Sequence, residues 1–358
     1  MSFEIAGDAP AAPAAPVPEG ALPAPVFGSA TAGHFNPLEH PPLFLEPRLI
    51  SDTSAWIGHI PLAFLLIDLL RPRCVVELGT QRGDSYCAFC QAIDTLGLAG
   101  AAGPAAGGCE ATAIDTWSGD PQSGAADAAT LATLRAHHDP LYGRFSTLLQ
   151  SSFDEALPRF ADRSIDLLHI DGRHDYASVR HDFYAWRPKL SDAAVVIFHD
   201  THLRRPGFDV HRLWDELCAS YPHVAFGHFC GLGLLAVGER LPAPFRNFLA
   251  DARERASAVE MLLAHLGQRI ELLRAQRLLC ATVREQAAAA GAWRLATGQP
   301  PRASDVGTQS AASAVADDLV AAALDAANVR MSLRRTRQKL ARARPLHRWV
   351  RRLLGLGS

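Results

Sequence analysis

From about residue 52 onward, apolar positions along the chain fall into two periods. Trp56, Ile60, Ala63, Phe64, Ile67 and Leu70 share one face at helical spacing. This predicts a helix that Ser51 or Asp52 can cap and that Pro72 stops. Short apolar runs follow, and each halts at a polar residue: Cys74–Val76 at Glu77, Thr112–Ile114 at Asp115, and Phe145–Leu149 at Gln150-Ser151-Ser152. Ile165–Ile170 likewise halts at Asp171, and Ala193–Phe198 at His199-Asp200. Helix-compatible segments separate them, at Tyr86–Leu96, Ala125–His138, Phe153–Phe160, Tyr176–Trp186 and Asp209–Ser220. Gly97–Gly108 reads as an Ala/Gly surface loop. Val224–Phe229 and Leu234–Val237 lie close enough to form a terminal hairpin.

Strands alternating with helices predict an α/β fold, a doubly wound, mostly parallel, seven-stranded sheet with helices on both faces. The segments outside it have other compositions. Residues 1–47 are Ala/Pro-rich and read as disordered. Residues 48–240 form the α/β domain. Residues 241–298 read as a helical extension, in which Leu263, Leu266, Ile270 and Leu273 fit either a short coiled coil or packing onto the core. Residues 299–312 read as a linker, and 313–358 as a basic amphipathic helical tail.

Charge is divided unevenly. The net charge over 358 residues is only −2, yet residues 326–358 hold ten Lys/Arg and no Asp or Glu. The acidic remainder and the basic tail are therefore opposites. Leu346, Trp349, Val350, Leu353 and Leu354 recur at helical spacing with His347, Arg348, Arg351 and Arg352 largely opposite. Such a helix can lie on an anionic membrane surface, dock on the acidic core or a partner helix, or stay solvated. No base-reading motif accompanies it, which disfavours nucleic acid. No run of 18 apolar residues predicts a membrane span. Seven Cys in this length are not a disulfide scaffold, and the lone Cys87/Cys90 pair lacks the second pair a zinc site needs. A reducing, cytoplasmic setting is expected, possible oligomerisation left open.

The chemistry is concentrated at the strand ends, where open α/β sheets bind ligands. After the first strand the pattern Glu77-x-Gly79-x-x-x-Gly83 lacks the middle glycine of dinucleotide folds, whose backbone must approach a pyrophosphate. It suits a ligand with a ribose and a charged amino-acid tail. An acid ending the second strand, Asp115, can accept both ribose hydroxyls.

This pattern resembles the first motif of class I S-adenosylmethionine-dependent methyltransferases. The resemblance implies cofactor contacts from Glu77, Gly79, Thr80, Gly83, Asp115, Trp117 (beside the adenine), Ser151 (at the adenine edge) and Asp171. A second stretch, Ile170-Asp171-Gly172-Arg173-His174-Asp175-Tyr176, is similar to the I-D-G-x-H-x-Y motif of bacterial O-methyltransferases related to macrocin O-methyltransferase and cephalosporin hydroxylase-like proteins. Val179–Leu190 and Phe198-His199-Asp200 extend the likeness, which covers about residues 48–240. It implies O-methylation of a small polar or sugar-like acceptor, with Asp171 and His174 catalytic and His174 as general base. It also implies a divalent metal, magnesium or another, on Asp171 and Asp200. His199 stands where the family has an acid; as the third ligand it favours a softer metal than magnesium, or none. His169, inside the strand, is assigned to packing or a hydrogen bond.

Two rivals remain. A non-catalytic module of the same fold could bind partners through its C-terminal helices. An NAD-dependent oxidoreductase is disfavoured by the missing glycine and the lack of a Tyr-x-x-x-Lys. A hydroxylase would need an iron triad, and no third ligand is evident beside His199 and Asp200.

Overall fold

A computed structural model of the chain describes residues 34–51, 54–100, 107–119 and 128–297. The chain divides into two compact units, Met1–Glu271 and Leu272–Ser358. The first carries the sheet; described residues of the second are helical, 272–297. The expected linker and basic tail, and residues 1–33 of the expected disordered segment, lie outside the described residues.

Among the described residues, seven strands form one sheet: β1 (Cys74–Leu78), β2 (Glu110–Asp115), β3 (Ser146–Gln150), β4 (Ile165–Ile170), β5 (Leu190–His199), β6 (His223–Phe226) and β7 (Leu232–Ala236). Their order is β3-β2-β1-β4-β5-β7-β6. The first five run parallel, and β7 pairs antiparallel with β5 and β6. Leu78 at the end of β1 faces Ile114 of β2 on one side and Ile170 of β4 on the other. The strand order reverses beside β1, which opens a crevice at the carboxyl ends of β1, β2 and β4.

Both faces of the sheet are covered. On one, Val76, Leu168, Ile170, Val196 and Phe198 pack with Val179, Phe183 and Trp186 of α5 (Tyr176–Trp186) and Leu213 and Trp214 of α6 (Val210–Cys218). On the other, His169 of β4 meets the rings of Trp56 and Phe89, the latter on α2 (Asp84–Thr95). Remaining helices of the first unit are α1 (Ile60–Leu70), α3 (Ala128–Tyr142), α4 (Phe153–Ala156), α7 (Ala243–Glu254) and the start of α8 (Ala256–Thr297).

Several expectations shift. All eleven residues of α1 are buried, so it has no polar face; it is packed against α2, α7 and the turn at Pro41–Phe44. Ser51 does not cap it, and Asp52 lies outside the described residues: the N-cap position is His59, after a 3-10 turn at Ile57–His59. Ser51 instead gives its backbone N–H and its hydroxyl to Asp84. The disorder expected of residues 1–47 does not hold over 34–47. Pro37 and Pro41 each open a 3-10 turn there, Phe35 and Leu43 are buried, and the Phe35 N–H donates to Asp251 of α7. Composition misled because four buried side chains, Phe35, Pro42, Leu43 and Pro47, suffice to anchor so short a segment. Within α8, Val259, Leu263 and Ile270 are buried in the first unit, which is the packing alternative. Gly267 crosses so near the turn at Gly58 that a Cβ would overlap the Gly58 carbonyl. Among the described residues no helix is long and apolar enough to cross a membrane.

Candidate active site

The turn after β1 depends on two glycines. Gly79 has φ +87°, and its N–H donates to the Ile114 carbonyl of β2. A Cβ there would overlap the carbonyl oxygen of Asp171, whose own N–H donates to Leu78. Gly83, φ +83°, starts α2 and packs against Leu134. Only glycine meets both demands, a positive φ and a backbone at van der Waals distance.

Asp115, at the end of β2, ties this turn to the sheet. One carboxylate oxygen accepts the N–H groups of Thr80 and Gln81, each at 2.9 Å; the other accepts the N–H of Trp117 at 2.8 Å. Three backbone donors thus orient the carboxylate, and its edge lines a crevice of about 560 Å³. That volume is within the range of small-molecule sites.

The far half of the crevice is floored by the ends of β4 and β5. His199 Nδ1 lies 3.2 Å from Asp171 Oδ1 and 3.4 Å from Asp200 Oδ1. Burial alone would lower the His199 pKa, but Asp171 first and then Asp200 outweigh it and hold it up at about 9. Burial would raise Asp171, yet the same contact with His199 holds it down to about 2. Asp200 goes the other way: burial raises its pKa, and the neighbouring Asp171 charge adds to that while His199 opposes it. His174, from the loop after β4, places Nδ1 3.4 Å from Asp200 Oδ2 and stacks on Phe208 at 4.7 Å between centroids. Asp171, His174 and Asp200 each present one potential ligand atom, all within 4.8 Å of one another.

The structure therefore gathers Gly79, Thr80, Gly83, Asp115, Asp171, His174, His199 and Asp200 around one crevice. Three expected contacts lie elsewhere. Glu77 is fully buried with no access to the crevice lining; its Oε2 is 2.7 Å from Nδ1 of the equally buried His169. Trp56 Nε1 donates to His169 Nε2 at 3.1 Å. The indole can only donate, so His169 accepts on Nε2 and carries on Nδ1 the proton it gives to Glu77. Trp117, φ +49°, is buried with its indole N–H on the Gln81 carbonyl, which ties it to the turn, and it is not among the residues lining the crevice. Ser151 turns its hydroxyl to the Ser152 carbonyl; the neighbouring Ser152 lines the crevice and caps α4 in a reciprocal box with Glu155.

Sequence reasoning missed Ser54, Trp56, Phe153, Arg173, Arg205, Phe208 and Cys230, all in the lining. Arg173 could have been found, since it sits between Gly172 and His174 of the motif. Trp56 and Phe153 were read only as helix positions, Phe153 being the first residue of α4; Ser54, Arg205, Phe208 and Cys230 come from loops without periodicity. Among the expected metal ligands, His174 joins Asp171 and Asp200 in the candidate cluster in the position that His199 was given; His199 pairs with both carboxylates from beneath.

Residues 76–201 match a family model described as a methyltransferase domain. An uncharacterized protein of Sinorhizobium fredii, y4gI, is 43% identical over 218 residues, covering 60% of this chain. The chain spans only 23% of the length of that curated relative. Among solved structures, the O-methyltransferase TomG from Streptomyces achromogenes, in complex with S-adenosylmethionine, is 17% identical with a TM-score of 0.38, covering 52% of this chain and 81% of that one. The Podospora anserina methyltransferase PaMTH1 is 13% identical with a TM-score of 0.37, over 51% and 79%. The match to the methyltransferase-domain model, the glycine turn after β1 and the central parallel strands fall on the same segment, residues 76–201.

Proposed function

We propose that this chain is an S-adenosylmethionine-dependent O-methyltransferase acting on a small polar or sugar-like acceptor, with His174 as general base. The observation that carries the reading is the joint placement of Asp115 and of the Asp171–His174–Asp200 group in one crevice at the carboxyl edge of the sheet. The I-D-G-R-H stretch supports assignment to the bacterial group related to macrocin O-methyltransferase.

The cofactor fits the residues present. Gly79 and Gly83 supply the positive φ and the close packing on Asp171 and Leu134 that shape the turn lining the crevice, and Asp115 offers a pre-oriented carboxylate to ribose hydroxyls. When bound, S-adenosylmethionine supplies an electrophilic methyl carbon. The protein must then hold an acceptor hydroxyl in line and remove its proton. Asp200 facing Nδ1 favours the His174 tautomer protonated there, which leaves Nε2 to take the proton. Stacking on Phe208 fixes the ring plane.

A second reading is metal-assisted. Asp171, His174 and Asp200 would hold a divalent cation, and Asp200 Oδ1 is buried without a hydrogen-bond partner. The mixed oxygen and nitrogen set suits manganese, iron or zinc better than magnesium. The cation would lower the pKa of the acceptor hydroxyl. His199, already positive beside the same carboxylates, favours the metal-free reading.

Release of S-adenosylhomocysteine over a panel of polyhydroxylated acceptors tests both. The base reading expects turnover that survives EDTA and falls about 10²–10⁴-fold in His174→Ala. Loss of turnover in EDTA with recovery on manganese would transfer the role to the metal. Equal turnover in His174→Ala and wild type, in EDTA, would remove both roles.

A further inference from the structure

We infer that the acceptor carries an anionic group, a phosphate or a carboxylate, and that Arg173 and Arg205 bind it at the mouth of the crevice. The inference rests on the methyltransferase reading for the word acceptor, and on the side chains alone for the anion site.

Both arginines line the crevice, and both come from its acceptor half. Arg173 follows β4 by three residues and immediately precedes His174. Arg205 lies in the loop after β5, five residues beyond Asp200. The Arg205 guanidinium sits over the Phe208 ring, with Cζ 3.9 Å from its centroid. The same ring stacks on His174 with an interplanar angle of 12°. One aromatic side chain thus sets the distance between a fixed cation and the proposed base.

Stacking orients a guanidinium without using its N–H donors. No hydrogen bond or ion pair engages the Arg205 guanidinium among the described residues, so its donors are available to a ligand. Arg173 has a single ion pair, through Nε to Asp175 at 3.6 Å, which leaves the two terminal nitrogens. Nearby acids are otherwise engaged. Asp209 pairs with Arg212, and Asp171 and Asp200 face His199. Two planar forks beside a base match a carboxylate or phosphate by paired hydrogen bonds, a recognition that a neutral polyol does not require.

The test is calorimetric titration of the full chain with inorganic phosphate and, separately, with acetate, in wild type and in R173Q/R205Q. S-adenosylhomocysteine is titrated into both proteins in parallel, which also reports folding of the variant. The expected result is saturable binding of phosphate or acetate, weakened about tenfold or more in the double variant, with S-adenosylhomocysteine unaffected. The stronger probe identifies the anionic group. No saturable binding of either probe to wild type, or equal binding to the double variant, overturns the inference. Phosphate binding that needs the arginines in a protein that ignores S-adenosylhomocysteine would keep the anion site and remove the methyltransferase reading.

Discussion

His199 Nδ1 lies 3.2 Å from Asp171 Oδ1, joining the ends of β5 and β4 under the acceptor half of the crevice. The pair is ionised over a wide pH range, with His199 at about 9 and Asp171 at about 2. Between the ordinary histidine pKa and about 9 the folded state holds a proton that the unfolded chain has lost. Stability must therefore be complete below about pH 6.5 and fall as pH rises toward 9. The slope approaches about 1.4 kcal/mol per pH unit at most. Urea unfolding of metal-free wild type and His199→Gln between pH 6 and 9 measures it. The two proteins should converge as pH rises; a constant gap would contradict the assignment.

Glu77 and His169 are a structural pair, fully buried at 2.7 Å. Glu77→Ala would leave His169 without its acceptor in the core. A destabilisation of about 1–3 kcal/mol is expected, seen in chemical denaturation. Because Glu77 does not line the crevice, Glu77→Gln, which keeps an acceptor for His169, should retain S-adenosylhomocysteine affinity wherever the protein is folded. A folded Glu77→Gln that loses the ligand would return Glu77 to the binding site.

Why Glu77 looked like a ligand contact explains what the sequence could and could not reveal. An apolar run that stops at a polar residue locates the end of a strand, so the edge bearing Asp115, Asp171, His199 and Asp200 was legible without coordinates. The face a strand residue takes was not. In a sheet covered on both sides, alternation carries no polar signal. The acid of β1 is paid for by a histidine 92 positions away in β4 and a tryptophan before α1. Trp117 was no more legible: its indole N–H bond to the Gln81 carbonyl, a contact within the folded turn, is what places the ring. Phe208 and Arg205 were invisible because their loop has no period, and the anchoring of 34–47 depends on Asp251, more than 200 residues later.

Asp182 gives an independent prediction. It lies on α5 beneath the Gly172 turn, and burial raises its pKa to about 7. The folded state then holds a proton between about pH 4 and 7 that the unfolded chain releases, so this carboxyl costs stability as pH rises through that window. Asp182→Asn should be about 1–3 kcal/mol more stable than wild type at pH 8, with the difference vanishing near pH 4. Thermal unfolding at the two pH values checks it; a variant less stable at pH 8 would show that the carboxylate has a stabilising partner.

The most direct test of the central claim is calorimetric titration of the full chain with S-adenosylmethionine, in wild type and Asp115→Ala. The account predicts saturable one-site binding to wild type, weakened at least about tenfold in the variant. Absence of binding to folded wild type, or equal affinity in both proteins, would contradict it and favour a non-catalytic module of the same fold.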